Sequence, residues 1–242
     1  MASSSRPFHL AFGPRVDRRA SDEDAAGTAF LPDRAVDGVD LVARLGGVVR
    51  GTLVAVDGDA GWRALDRQHG ARRVDAQALR PDGTAVAVRF HVPRIPLPDT
   101  DPSCPLVPSF FVYGTLLQGQ PRHAAIRRHV PACVLPATRP ARLIDLGDYP
   151  GMLLADAERP STVRGELVRF PAATLAAAVA RLDAIEDFRG FGVAGSLYVR
   201  RLVRVTLADG SAPLAWTYIY AGDARAARPI PSGDWRTRGA SR

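Results

Sequence analysis

Pro108-Ser-Phe-Phe-Val-Tyr-Gly-Thr-Leu-Leu-Gln-Gly-Gln-Pro121 is the stretch on which the fold turns. Phe110, Phe111, Val112 and Tyr113 are an aromatic and β-branched run of the kind that makes a short buried strand, and Gly114 ends it. The strand enters a turn at Gly114-Thr-Leu116, whose three residues all keep their N–H groups. A glycine at that point lets consecutive amides face one hollow, which suits a carboxylate or a developing oxyanion. An ordinary strand-to-loop turn fits the same tetrapeptide.

Downstream of this turn the pattern predicts a short helix over Pro121 to Val130 and a strand running from Arg142 into the turn at Tyr149-Pro-Gly151. A second strand is expected over Val163 to Phe170, and then a helix from Pro171, with proline at its first position, to Asp187. Tyr198 to Leu207 and Leu214 to Tyr220 form a closing hairpin around Ala208-Asp-Gly-Ser211. Upstream, six prolines fall between Pro93 and Pro108, a stiff extended segment that predicts a domain boundary. The expected organisation is a first domain over 1–98, a linker over 99–108 and a second domain over 109–242.

The first half carries strands at Phe8-His-Leu-Ala-Phe12 and Val48 to Val56, an acidic stretch from Asp17 to Asp24 and a short helix near Trp62 to Leu65. A hairpin at Arg80-Pro-Asp-Gly-Thr84 leads on to Phe90-His-Val92. Set beside the second half, its landmarks come in the same order. Phe12-Gly13 answers Tyr113-Gly114, and Val49-Arg-Gly-Thr-Leu-Val54 answers Val163-Arg-Gly-Glu-Leu-Val168. Leu65-Asp66 answers Leu182-Asp183, and Pro81-Asp-Gly-Thr84 answers Ala208-Asp-Gly-Ser211. Four ordered matches predict an internal duplication.

Composition narrows the class. A chain of 242 residues with 46% apolar content can bury a core. No stretch resembles a secretory signal or a membrane span, so the expected setting is the cytoplasm, with no membrane partner. The net charge of +7 comes from 32 basic residues that are all arginine, scattered as pairs such as Arg18-Arg19 and Arg127-Arg128. That scatter argues against a nucleic-acid face, and the missing lysine excludes both a Schiff base and a P-loop. Cys104 and Cys133 form no C-x-x-C pair, and His9, His91, His123 and His129 have no metal-ligand spacing. No metal and no cofactor is expected.

One carboxylate stands out. Leu175, Val179, Leu182 and Glu186 follow one another at helical spacing, which places Glu186 on the stripe that faces the core. Burial there raises a carboxyl pKa, and the negative end of the helix dipole adds to the effect. Both move Glu186 toward proton exchange near neutral pH. Pairing with a nearby arginine in the core is the other way to accommodate it. Asp183 and Asp187 point off the stripe and are expected to be solvated.

Taken together, Tyr113-Gly-Thr-Leu116, Gly119-Gln-Pro121, Asp145-Leu-Gly-Asp-Tyr-Pro-Gly151, Val163-Arg-Gly-Glu166, Leu182-Asp-Ala-Ile-Glu186, Tyr198-Val-Arg200 and Ser232-Gly-Asp-Trp-Arg236 resemble the γ-glutamylcyclotransferase-like family of the bacterial type, over about residues 109–236. The resemblance implies an α+β fold, a small mixed β-barrel with flanking helices, and with the internal duplication the expectation is two tandem cyclotransferase-like domains of this kind. It implies a cavity between the turn and Glu186, and a reaction in which the α-amine of a γ-glutamyl compound attacks its own γ-carbonyl to give 5-oxoproline and a free amine. Glu186 would be the general acid and base. Tyr113, Gly114, Thr115 and Leu116 would bind substrate. Tyr149 would line the pocket by analogy, or else be a turn aromatic.

In the first half Pro14, which lacks an N–H, stands for Thr115, and His69 stands for Glu186. That half is expected to be an inactive copy packed within the chain against the second. The expected partner is a small γ-glutamyl molecule whose leaving amine is met by a loop such as Arg189 to Ser196. The competing expectation is a non-catalytic small-carboxylate binding or interaction protein built on the same fold.

Overall fold

The structure, a computed structural model, describes residues 8–11, 27–37, 40–56, 58–70, 72–91, 106–156, 158 and 160–238. Phe12, Gly13 and Pro14, the acidic stretch from Asp17 to Asp24, Val92, and the proline-rich segment up to Pro105 lie outside these residues. The chain divides into two compact units, Met1–Leu106 and Val107–Arg242. Both are built on mixed, barrel-like sheets with few helices.

The first unit contains β1 (Phe8–Ala11), β2 (Thr28–Asp37), β3 (Asp40–Val54), α1 (Gly58–His69), β4 (Arg73–Leu79) and β5 (Ala85–His91). The strands close into a barrel in the order β1-β3-β2-β4-β5, with β1 antiparallel to β3 and parallel to β5. Leu10, Ala29, Leu31, Val49, Ala78, Val88 and Phe90 fill it, each on the inward face of an alternating strand.

The second unit contains β6 (Ser109–Val112), α2 (Ala124–Arg127), β7 (Cys133–Asp145), β8 (Pro150–Leu154), β9 (Thr162–Arg169) and α3 (Ala172–Ile185). There follow β10 (Tyr198–Arg204), β11 (Thr206–Leu207), β12 (Leu214–Tyr220), β13 (Arg228–Pro229) and a 3-10 turn at Trp235–Thr237. The strand order is β10-β12-β6-β9-β7-β11. Because β10 runs into β11 through Val205, the chain itself joins the two ends of that order. β6 is antiparallel to β9 and parallel to β12. Its four residues are all buried, as the aromatic run requires.

The two units share this strand order residue by residue. His9, Leu10 and Ala11 lie opposite Val54, Leu53 and Thr52, while Phe110, Phe111 and Val112 lie opposite Val168, Leu167 and Glu166. Close approaches match too. A Cβ on Gly165 would lie 2.2 Å from the Val112 carbonyl oxygen, and one on Gly51 would lie 2.9 Å from that of Ala11.

Several local expectations need correction. The helix after the turn is only α2, because Gln120 and Pro121 still belong to a string of turns. Pro171 is the N-cap residue of α3 and not its first helical residue, and Glu186 is its C-cap. Helix α1 is a full three turns, longer than Trp62 to Leu65. Strand β7 begins at Cys133, well before Arg142; Pro136 and Pro140 hide it by breaking the usual strand composition. Strand β2 was not expected at all.

Candidate active site

The turn after β6 is held from several sides. Leu117 donates its N–H to the Gly114 carbonyl at 3.0 Å, and Arg122 donates its N–H to Thr115 at 2.9 Å. Gln118 donates its N–H to Glu166 Oε2 at 3.0 Å, and Glu166, buried on β9, is ion-paired to Arg236. Gly114 packs so closely on Pro150 that a Cβ would meet its Cγ at 2.5 Å. Among the described residues, nothing accepts a hydrogen bond from the N–H groups of Gly114, Thr115 or Leu116. These donors border a cavity of about 90 Å³, room for roughly six waters and therefore for a small molecule.

Tyr113, Gly114, Thr115 and Leu116 line that cavity together with Glu186, and with Tyr149 and Pro150 from the β7–β8 turn. Glu186 is half-buried and makes no ion pair or side-chain hydrogen bond among the described residues. Burial pushes its pKa up to about 7, against a downward pull from the Arg122 charge. The three most deeply buried phenols around it are already committed. Tyr113 donates to the Tyr218 carbonyl at 2.7 Å, Tyr198 to that of Pro150 at 2.7 Å, and Tyr218 to Asp183 Oδ1 at 2.7 Å. Burial drives all three phenol pKa values upward. Glu186 is left as the cavity group poised to exchange a proton near neutrality.

Asp183 is not solvated: it accepts from Tyr218 and lies 3.5 Å from the wholly buried Arg200. The helix stripe that buries Leu182 is broad enough to take in the next residue. Asp187 is exposed, as expected, and pairs with Arg189 at 3.5 Å. The loop from Arg189 to Ser196 contributes no residue to the cavity wall, which is made there by Ile185 and Leu197. Its Phe191 is turned, with Phe188, onto the Arg200 guanidinium, ring to cation at 5.1 and 5.3 Å. Arg122, Tyr198 and Tyr218 are cavity residues that the sequence did not single out. Tyr198 stands in a quoted motif, but nothing periodic marks Arg122.

The first unit carries the corresponding frame with different chemistry. Asp66 pairs with Arg73, one bond being 2.6 Å, and lies 2.9 Å from His91 Nε2. Arg73 lies opposite His91 across the strands, as Arg200 lies opposite Tyr218. Asp66, Arg73 and His91 thus stand for Asp183, Arg200 and Tyr218. His9 lies 3.3 Å from His91, and its ring stacks on that of His69 at 6.0 Å. Among the described residues no His, Cys, Asp or Glu cluster is placed to hold a metal ion.

Burial, aided by the neighbouring His91 and His69, pushes the His9 pKa down to about 4. Between pH 6.5 and about 4 an unfolded chain takes up a proton that the folded unit refuses, so stability falls as pH falls through that window. The loss reaches about 3 kcal/mol. Urea denaturation of the first unit followed by Trp62 fluorescence is expected to show it in wild type, and His9→Phe is expected to flatten it.

The sequence is similar to those of known proteins. The family model described as γ-glutamyl cyclotransferase, AIG2-like, matches residues 110–237. The chain belongs to this family. It is 33% identical over 120 residues to the γ-L-glutamyl-butirosin B γ-glutamyl cyclotransferase of Niallia circulans, covering 48% of this chain and 69% of that protein. It is also 33% identical over 129 residues to a putative γ-glutamylcyclotransferase of Vibrio cholerae, covering 53% and 95%. Among solved structures, protein ytfP of Escherichia coli is 31% identical over 54% of this chain and 97% of that one, with a TM-score of 0.36. No helix among the described residues is long and apolar enough to cross a membrane.

Proposed function

We propose that the second unit catalyses cyclisation of a γ-glutamyl compound to 5-oxoproline, with release of the amine. The observation that carries this is that Glu186 lines the same small cavity as a turn whose three amides find no acceptor among the described residues. The substrate enters with its α-amine protonated, and Glu186 takes that proton. The amine nitrogen then bonds to the γ-carbonyl carbon, and negative charge builds on the carbonyl oxygen. N–H groups of Gly114, Thr115 and Leu116 stabilise that charge as an oxyanion hole. The bond from the γ-carbon to the leaving nitrogen breaks as Glu186 returns the proton, and Glu186 then relays the second proton of the ring nitrogen to the departing amine, which leaves as an ammonium. Holding the chain folded for ring closure supplies much of the acceleration, up to about 7–11 kcal/mol in favourable cases. Neither metal nor nucleotide enters this scheme.

The first unit is, on this proposal, a copy that has lost the chemistry and kept the barrel. The shared strand order and the matching Asp66–Arg73 and Asp183–Arg200 pairs support a common origin. His69 at the place of Glu186, and Pro14 at that of Thr115, account for the loss. Purified protein offered γ-glutamyl amino acids, γ-glutamylamines and glutathione is expected to release 5-oxoproline from at least one of them. Silence across that panel from folded protein would overturn the enzymatic proposal in favour of a binding role.

A further inference from the structure

The turn after β6 leans on a carboxylate that the cyclisation scheme does not use. Glu166, on β9, is buried. Its Oε2 accepts the Gln118 N–H at 3.0 Å, and its Oε1 is ion-paired to Arg236. Along the turn the amides divide in order. Those of Gly114, Thr115 and Leu116 find no acceptor among the described residues, that of Leu117 closes on the Gly114 carbonyl at 3.0 Å, and that of Gln118 is held by Glu166. Arg236 comes from 70 residues beyond Glu166, on a segment fastened to the same strand. Arg164 donates its N–H to the Gly233 carbonyl at 2.8 Å, Trp235 is buried, and the Asp234 side chain accepts the Arg236 N–H at 3.0 Å.

A lone buried carboxylate bonded two residues past the free amides would work against any oxyanion they hold, because like charges repel strongly where water is excluded. Paired with a guanidinium, its field is largely cancelled while its oxygen still fixes the turn. The first unit lacks this carboxylate: Thr52 lies opposite Ala11 where Glu166 lies opposite Val112. The Asp66–Arg73 and Asp183–Arg200 pairs recur in both units, whereas the carboxylate at this register is found only in the second. We infer that Glu166 and Arg236 are positioning residues for cyclisation, Glu166 setting the turn through the Gln118 amide and Arg236 cancelling the carboxylate charge so that the free amides can receive an oxyanion. This rests on the cyclisation reading of the cavity. Neither side chain lines that cavity, so the pair acts on the chemical step and not on substrate binding.

Arg236→Gln leaves the Glu166 charge uncancelled and is expected to lower kcat roughly 10- to 100-fold with KM little changed. Arg236→Lys, which keeps the charge, is expected to restore most of the rate. So is the double variant Glu166→Gln/Arg236→Gln, which carries no charge and keeps an acceptor for Gln118. A residue needed for packing alone would not be rescued by a second loss. Should Arg236→Gln fail to fold, Glu166→Gln/Arg236→Gln is compared with Glu166→Ala/Arg236→Gln, equally uncharged but with no acceptor, which is expected to be the slower. Amide hydrogen exchange at Gln118, read by NMR without turnover, is expected to be at least about tenfold faster in that alanine variant than in wild type. Wild-type kcat in Arg236→Gln, no recovery in the double glutamine variant, equal rates in the two double variants, or unchanged Gln118 exchange would each overturn the inference and leave cyclisation standing. Wild-type protein inert on every γ-glutamyl substrate would overturn the cyclisation proposal and this inference with it.

Discussion

Glu186→Gln is expected to lower turnover by roughly 10²- to 10⁴-fold, the range for removing a general acid–base group, and to leave the fold intact. Glutamine keeps the shape and loses the proton exchange. A variant that retains full turnover in a 5-oxoproline assay would remove Glu186 from the role. The same group sets a pH signature. Its carboxylate must be free to take the substrate proton, so kcat/KM of the wild type is expected to rise with pH through about 7. An acid limb near the ordinary glutamate value would contradict a buried base.

Stability should move the other way. The folded pKa of Glu186, about 7, exceeds the ordinary 4.5, so between those values the folded unit binds a proton that the unfolded chain has released. Its contribution opposes folding increasingly as pH rises through that window and is absent below it. Glu186→Gln is therefore expected to stabilise the second unit by up to about 3 kcal/mol at pH 8 and by nothing near pH 4. Greater stability with less activity is the signature of a strained catalytic group.

Gly165→Ala has a large expected structural effect. Its Cβ would fall 2.2 Å from the Val112 carbonyl oxygen and 2.8 Å from the Phe111 ring. The oxygen belongs to backbone, so β6 or β9 must shift. Overpacking of this kind costs about 1–3 kcal/mol, occasionally more, and the displaced strand is the one that delivers the Gly114 turn. A lower urea midpoint with an unchanged slope, together with reduced turnover, is expected. Gly51→Ala makes the matching clash with Leu10 and Ala11 in the first unit and is expected to leave turnover alone. Wild-type stability in Gly165→Ala would show that the strands yield at no cost.

Much of this was legible because it depends on local patterns. The run from Phe110 to Tyr113 had to be buried, and the spacing of Leu175, Val179, Leu182 and Glu186 put a carboxylate on an apolar face. What stayed hidden depends on contacts distant in sequence. Asp183 is drawn inward by Tyr218 and Arg200, which come from strands formed after its helix ends. Arg122 becomes a cavity residue only because the turns between Leu117 and His123 fold back beside Tyr149. Strand β7 was masked by its prolines, which are placed by pairing with β9 and not by propensity. The loop from Arg189 to Ser196 stays off the cavity wall because its one aromatic, Phe191, closes on Arg200, a residue of a later strand.

The aspartate–arginine pair that recurs in both units carries a lesson for comparing chains of this kind. Asp66 with Arg73 and Asp183 with Arg200 brace a helix against a barrel whether or not any reaction takes place there. A survey that scored the aspartate of this pair would count both halves alike. On the cyclisation proposal, the discriminating position lies three residues further on, where one half has His69 and the other Glu186; the brace identifies only the architecture.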